Sequence, residues 1–289
     1  MAAAWQRFAP VLRRSLRHCG GLGWGASASA LGEDQGRWDT RRLLAEAEAL
    51  AACHPLRTEV TGVGHELRVA ESAIPNSGDG VYISRGVGDS GTEAVPSGTV
   101  VALYSGVYVP LVPLHARAAA RGEQVTDVLH MARLQGYGAV DESLMDVSFD
   151  EVSSYWLILE VYSGVMDGFQ AARRVGGLGC KSPYAVGTFI NHPPRGVMPN
   201  VAWQEFCWGR DAGDLAANRL HHGLWYMDPQ TMECVNMPEG NSKVQFPLPG
   251  VAIVALRDLS PGEELYMDYR LSRPHPPWYV PVATERLAT

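Results

Sequence analysis

Asn191 and His192 stand side by side in the stretch TFINHPPRGVMPN, Thr188 to Asn200. The stretch begins apolar and β-friendly, then bends through two prolines and a glycine before closing on Pro199-Asn200. An amide beside an imidazole could be a turn signal, a metal ligand or half of a cofactor site. The metal reading lacks partners. His221 and His222 are adjacent, and adjacent residues do not readily share one ion in a strand or helix. The five cysteines, Cys19, Cys53, Cys180, Cys207 and Cys234, are scattered and form no C-x-x-C pair, so neither a zinc cluster nor a disulfide framework is expected. Reduced thiols in an intracellular protein fit them best. No metal site is expected.

Other candidate chemistry is thinner. VGGLGC and GVGDSG are glycine-rich, but neither clearly leads from a strand into a helix, as a dinucleotide or phosphate loop would. Glu263-Glu264 sits in a turn-like context and reads as a solvated or capping pair rather than an acid/base couple. Nothing singles out a cysteine as a nucleophile.

The elements that must position these residues are mostly strands. RRLLAEAEALAACH (Arg41 to His54) has apolar positions three and four apart and predicts a helix. Beyond it come short β-like runs punctuated by Gly and Pro: Gly80 to Val87, Gly98 to Val112 after a Pro96-Ser97-Gly98 turn, and Tyr155 to Gly168. Val201 to Trp208 and Val251 to Leu259 follow, the last ending at Ser260-Pro261-Gly262. Residues 114 to 134 could hold a helix or two, 175 to 180 form a loop, and the tail is Pro-rich. The pattern predicts a mostly-β fold with inserted helices.

Composition sets outer bounds. The chain has 289 residues, 46% hydrophobic and 19% charged, which is globular rather than disordered. A net charge of −7 argues against a general nucleic-acid surface, so no direct nucleic-acid partner is expected. No run approaches the roughly 18 apolar residues of a membrane-spanning helix, and no membrane partner is expected. The first thirty residues carry Arg7, Arg13, Arg14 and Arg17 and no acidic residue, which fits a mitochondrial transit segment. A nuclear or cytosolic protein with an N-terminal extension is the alternative.

Four stretches acquire meaning when read together. They are Gly78-Asp79-Gly80 entering a strand, Tyr104-Ser105-Gly106, Phe189-Ile190-Asn191-His192 with Pro199-Asn200, and Gly262-Glu263-Glu264-Leu265 with Asp268-Tyr269. In order and spacing they resemble the SET domain, the fold of S-adenosylmethionine-dependent protein lysine methyltransferases. Within that family the sequence is most similar to the SET domain-containing protein nine group. That group shares the longer spacer before the closing Asn, the AVG lead-in (Ala185 to Gly187) and the QEF strand (Gln204 to Phe206). The resemblance implies an N-terminal extension over 1–61, a domain over 62–271 with a variable insert at about 114–181, and a tail over 272–289. It implies short sheets around a C-terminal pseudoknot, in which Phe189-Ile190 runs as strand and Tyr269 comes beside Asn191.

The resemblance also implies roles. S-adenosylmethionine is the expected cofactor, and a protein or peptide presenting a lysine is the expected substrate. Gly78, Asp79, Gly80, Asn191 and His192 match cofactor-binding positions, and Trp278 with Tyr279 could cover the cofactor from the tail. Tyr269 matches the catalytic tyrosine, and Tyr104 matches a position lining the lysine channel. From the residues alone each has a plainer alternative: a hairpin turn at Gly78–Gly80, a strand cap at Asn191-His192, a packed aromatic at Tyr269, surface anchors at Trp278 and Tyr279. One departure bears on activity. The family's Ser-Cys after Asn-His is Pro193-Pro194 here, followed by Arg195, Gly196, Val197, Met198 and Pro199 before Asn200. Proline has no backbone N–H, so contacts using those two amides are lost. This motivates the rival expectation of a catalytically inactive SET fold acting as a protein-interaction module.

Overall fold

The structure, a computed structural model, describes residues 40–51, 64–124, 155–159, 164–169, 182–208, 225–228, 231, 234–236, 248–271 and 278–282. The Arg-rich N-terminus, the 175–180 loop and the His221-His222 pair lie outside the described residues. The chain divides into two compact units, one made of Thr40–Tyr104, Ser182–Gln204 and Val251–Thr289, the other including Ser105–Lys181 and Glu205–Gly250. As the apolar patterning predicts, the architecture is mostly β with inserted helices, and the described residues form three short sheets.

The first unit opens with helix α1, Thr40–Ala51. Leu43, Ala47 and Leu50 recur at helical spacing and are buried along one face. Strands β1 (Glu66–Glu71) and β2 (Asp79–Arg85) form an antiparallel hairpin with Glu71 opposite Asp79. Its loop is closed by the Ser72 N–H donating to Gly78 O at 2.9 Å. Asn76 (φ 62°) and Gly78 (φ 76°) take the left-handed conformation there, which Asn and Gly tolerate better than other residues. Strand β3 (Val100–Leu103) pairs antiparallel with β10 (Leu248–Ala255), and all residues of both are buried. A strand covered on both faces needs the continuous apolar run that Val251–Ala255 supplies. Together with β7 (Val201–Trp208) they form a sheet of order β3-β10-β7.

The second unit holds β4 (Val107–Pro110), β5 (Trp156–Leu159), β6 (Gly164–Asp167), β8 (Trp225–Met227) and β9 (Cys234–Asn236) in the order β5-β6-β4-β8-β9. The pairs are antiparallel except β4–β8. Helix α2, Leu111–Arg121, packs Leu111, Leu114 and Ala118 into a core with Val107, Val109, Val165, Phe169 and Met227. It stops at Gly122 (φ 68°), where Glu123 N–H reaches back to Ala118 O at 2.9 Å. Burial pushes the Cys207 thiol up to about 11 and the Cys234 thiol to about 12, so both stay protonated at neutral pH.

Three expectations are corrected. Tyr155 to Gly168 is not one strand but two, β5 and β6, paired antiparallel. Gly98 to Val112 is not one strand: it breaks at Tyr104–Gly106, where Gly106 lies so close to the Asp167 carbonyl that a Cβ would collide. The helix expected from 114 begins three residues earlier, at Leu111.

Candidate functional site

The chain from Leu265 to Tyr269 is inserted between the two ends of the loop that follows Asn191-His192. Asn191 bridges Tyr266 on one side and Val201 bridges Met267 on the other, both in parallel sense. Met267 N–H donates to the Asn191 carbonyl at 2.9 Å, and Val201 N–H donates to the Tyr266 carbonyl at 3.2 Å. The segment thus threads between the two ends of loop 192–200, although it lies more than sixty residues later in the chain.

Asn200 clasps it. Its side chain is only 1% exposed and makes three hydrogen bonds. Nδ2 donates to the Glu263 carboxylate and to the Glu264 carbonyl, both at 2.8 Å, while Oδ1 accepts from Tyr266 N–H at 2.7 Å. An amide supplies donors and an acceptor at once, which is what a closing strand junction requires. Pro193 is buried, and the loop turns at Pro194–Val197 through Gly196 (φ 85°), with Val197 N–H donating to Pro194 O at 3.0 Å. The prolines therefore lead into a tight turn, and the loop returns to a fully bonded Asn200.

The approach differs from the strand expected at Phe189-Ile190. Gly187–Phe189 is a short 3₁₀ turn, closed by Phe189 N–H to Val186 O and Ile190 N–H to Gly187 O. Gly187 lies against the backbone of Leu103 and Tyr104, where a Cβ would sit 2.9 Å from the Leu103 carbonyl oxygen and the Tyr104 Cα. That close packing turns the chain before Asn191. Tyr104 is itself buried at the end of β3, and its N–H donates to Val251 O. The described contacts link Tyr104 to the Asn-His segment through this backbone packing.

Glu263 caps the turn at Ser260, one of the two readings expected of the pair, whereas Glu264 is buried, which corrects the solvated reading. Glu264 is 6% exposed. Its carboxylate accepts from Ser72 Oγ (2.6 Å), Ala73 N–H (2.9 Å), Tyr82 OH (3.0 Å) and Tyr266 OH (2.9 Å). Burial alone would raise its pKa, but these donors outweigh it and hold the carboxyl below the ordinary value. Tyr266 is pushed up in turn, by burial and then by the Glu264 charge. Glu263 is bonded to Arg257 and Asn200 and caps the turn at Ser260 N–H (3.1 Å); against its own burial these also lower its pKa.

Around His192 the expected site residues converge. Asn191 Nδ2 donates to the Asp79 carbonyl at 2.9 Å, joining the Asn-His segment to the Gly78-Asp79-Gly80 turn. His192 is buried, with Nε2 2.9 Å from Val280 O and Nδ1 3.4 Å from Tyr269 N. These partners are satisfied together by the Nε2–H tautomer, which donates to the tail and accepts from Tyr269. Tyr269 OH donates to Ile190 O at 2.9 Å. From the tail, Tyr279 stacks on the His192 ring (centroids 4.3 Å apart) and donates its hydroxyl to Asp268 at 2.9 Å. Burial and this carboxylate push the Tyr279 phenol up to about 12. Trp278 stands edge-on to both His192 (6.4 Å) and Tyr269 (6.2 Å), and is 60% exposed. Of the two tail aromatics Tyr279 is the anchor and Trp278 the exposed face.

Sequence reasoning passed over Glu264, Tyr266 and Asp268 as individual actors. Their signal was present in Gly-Glu-Glu-Leu-x-x-Asp-Tyr, but motif position carries no information on burial.

No protein-family model and no curated protein matches this sequence. The solved structure described as ctPRC2 in an autoinhibited conformation bound to S-adenosylmethionine is similar over 73% of this chain, at 15% identity and a TM-score of 0.30. This chain covers 16% of that one. Among the described residues no helix is long and apolar enough to cross a membrane.

Proposed function

We propose that this protein transfers a methyl group from S-adenosylmethionine to a lysine side chain of a protein substrate. The observation that carries the reading is the threading of Leu265–Tyr269 between Asn191 and Asn200, which sets Tyr269, His192, Asn191 and the Gly78–Gly80 turn in one bonded cluster.

The residues fit the cofactor. Gly78 has a positive φ, and nothing lies within 4 Å of where its Cβ would be, so main chain is open to a ligand there. Asp79 is exposed beside it, Asn191 is half-buried, and the exposed Trp278 indole offers a π-face suited to a sulfonium or a stacked base. When bound, S-adenosylmethionine supplies an electron-poor sulfonium methyl for in-line displacement by a neutral amine. Gly78, Asp79, Gly80, Asn191, His192 and Trp278 would hold it.

Tyr269 acts as an acceptor rather than a base. Its hydroxyl proton is engaged by Ile190 O, and a phenol oxygen that donates still has acceptor lone pairs for weak C–H···O contacts with a polarised methyl. His192 holds the Tyr269 backbone through Nδ1. Positioning of the two reactants on one axis supplies most of the acceleration. The substrate lysine must lose its proton first; with an ordinary pKa of about 10.4 only about one in 10³ to 10⁴ is neutral at pH 7. Tyr104, as a buried aromatic, would line the channel and disfavour the cation by desolvation.

Calorimetry with S-adenosylmethionine tests the reading, with Asn191→Ala as control. Binding by the natural protein that the variant weakens is expected. Absence of binding at millimolar cofactor defeats the proposal. Binding without methylation of any peptide on broad arrays would instead favour the interaction-module alternative.

A further inference from the structure

Within that reading, we infer that Glu264 is a positioning residue that sets the Gly78–Gly80 turn against the threaded segment carrying Tyr269. The carboxylate stands immediately before the threaded segment, yet three of its four partners belong to the β1–β2 hairpin. Ser72 Oγ and Ala73 N–H lie at the start of the hairpin loop, and Tyr82 OH lies on β2. The fourth, Tyr266 OH, returns to the threaded segment itself.

The fit is tight at one further point. Gly80 lies so close to Glu264 Oε1 that a Cβ there would collide with it, and would also meet the Ser72 Cβ at 3.3 Å. The second glycine of Gly-Asp-Gly therefore answers to this carboxylate, whereas Gly78 answers to backbone conformation and faces open space. A carboxylate held by four donors cannot swing aside without breaking them, so Gly80 and Glu264 form a matched pair. The loop between the Ser72 and Gly80 contacts contains Gly78 and Asp79, and Asn191 Nδ2 reaches Asp79 O from the threaded side. Glu264 and Asn191 thus hold the loop at two points.

The test uses the full chain and S-adenosylmethionine itself as probe. Glu264→Gln keeps the volume but replaces one acceptor oxygen with a donor. It is expected to weaken cofactor binding about tenfold, a change of ~1.4 kcal/mol. Amide exchange gives the local readout. The Ser72 amide, which closes the loop onto Gly78 O, should exchange faster in the variant, while amides of β10 keep their protection. Gly80→Ala should weaken binding in the natural background and add little in a Glu264→Ala background, because the colliding carboxylate is gone.

Unchanged cofactor affinity in Glu264→Gln overturns the inference while leaving the methyltransferase reading intact. Uniformly faster exchange across the first unit also overturns it, since that marks a general loss of stability. If the natural protein binds no cofactor, the functional reading fails, and Ser72 exchange together with the thermal-shift cycle of Gly80→Ala and Glu264→Ala still decides the positioning role. A further result that would overturn it is additivity of the two substitutions.

Discussion

Tyr269 donates its hydroxyl to the carbonyl of Ile190 at 2.9 Å, although 79 positions separate them in the chain. The two meet because Leu265–Tyr269 is paired between the two ends of loop 192–200. The same bond orients the phenol and engages its proton.

Tyr269→Phe is therefore expected to abolish methyl transfer while leaving S-adenosylmethionine affinity within about twofold. It should cost about 1 kcal/mol of stability, the usual net value of one hydrogen bond. Cofactor calorimetry beside a turnover assay checks it; unchanged turnover removes Tyr269 from its role.

Asn200→Ala removes three hydrogen bonds from a residue that is 1% exposed and leaves the Tyr266 N–H without its acceptor. A loss of about 3 kcal/mol is expected, since each buried bond contributes about 1 kcal/mol. Urea unfolding measures it, and a shift under ~1 kcal/mol would show that the loop closes without this clasp.

Acid should unfasten the threaded segment. The Glu263 and Glu264 pKa values lie below the ordinary 4.5 in the folded protein. Their ionised forms therefore contribute stability that is fully present above pH 4.5 and is lost as pH falls through the folded values. Glu264→Gln should flatten the stability profile below pH 4.5 relative to the natural protein. Thermal midpoints measured from pH 3 to 7 check the sign; a steeper acid loss in the variant would contradict it.

Tyr279→Ala removes both the ring stacked on His192 and the hydroxyl on Asp268. The tail should become cleavable near Trp278 under limited proteolysis, and cofactor affinity should fall about tenfold, the factor given by ~1.4 kcal/mol. Unaltered cleavage would show that the Val280–His192 hydrogen bond holds the tail without Tyr279.

Much of the fold was legible because it depends on local apolar patterning. Leu43, Ala47 and Leu50 mark α1 by their spacing, and the unbroken apolar run of Val251–Ala255 marks a strand buried on both faces. Ordered motifs singled out Asn191, His192 and Tyr269, and the structure brings these three together. Other features were not legible. Phe189 looks β-friendly, but Gly187 packs on Leu103 and Tyr104 and turns the chain there. Glu264 reads as a surface charge in a Pro-Gly turn, yet it is buried because donors from Ser72, Ala73 and Tyr82 arrive from nearly two hundred residues away.

The sequence by itself determined the mostly-β character, the positions of most strands and the identity of the residues able to do chemistry, since propensity and periodicity act over a few neighbours. Only the tertiary structure decided which of those residues meet. It made Asn200 a clasp, Glu264 a buried hub with Gly80 pressed against it, and Tyr279 rather than Trp278 the anchor of the tail. Each depends on burial and on partners distant in the chain, and these exist only once the segment before Tyr269 has been threaded into place.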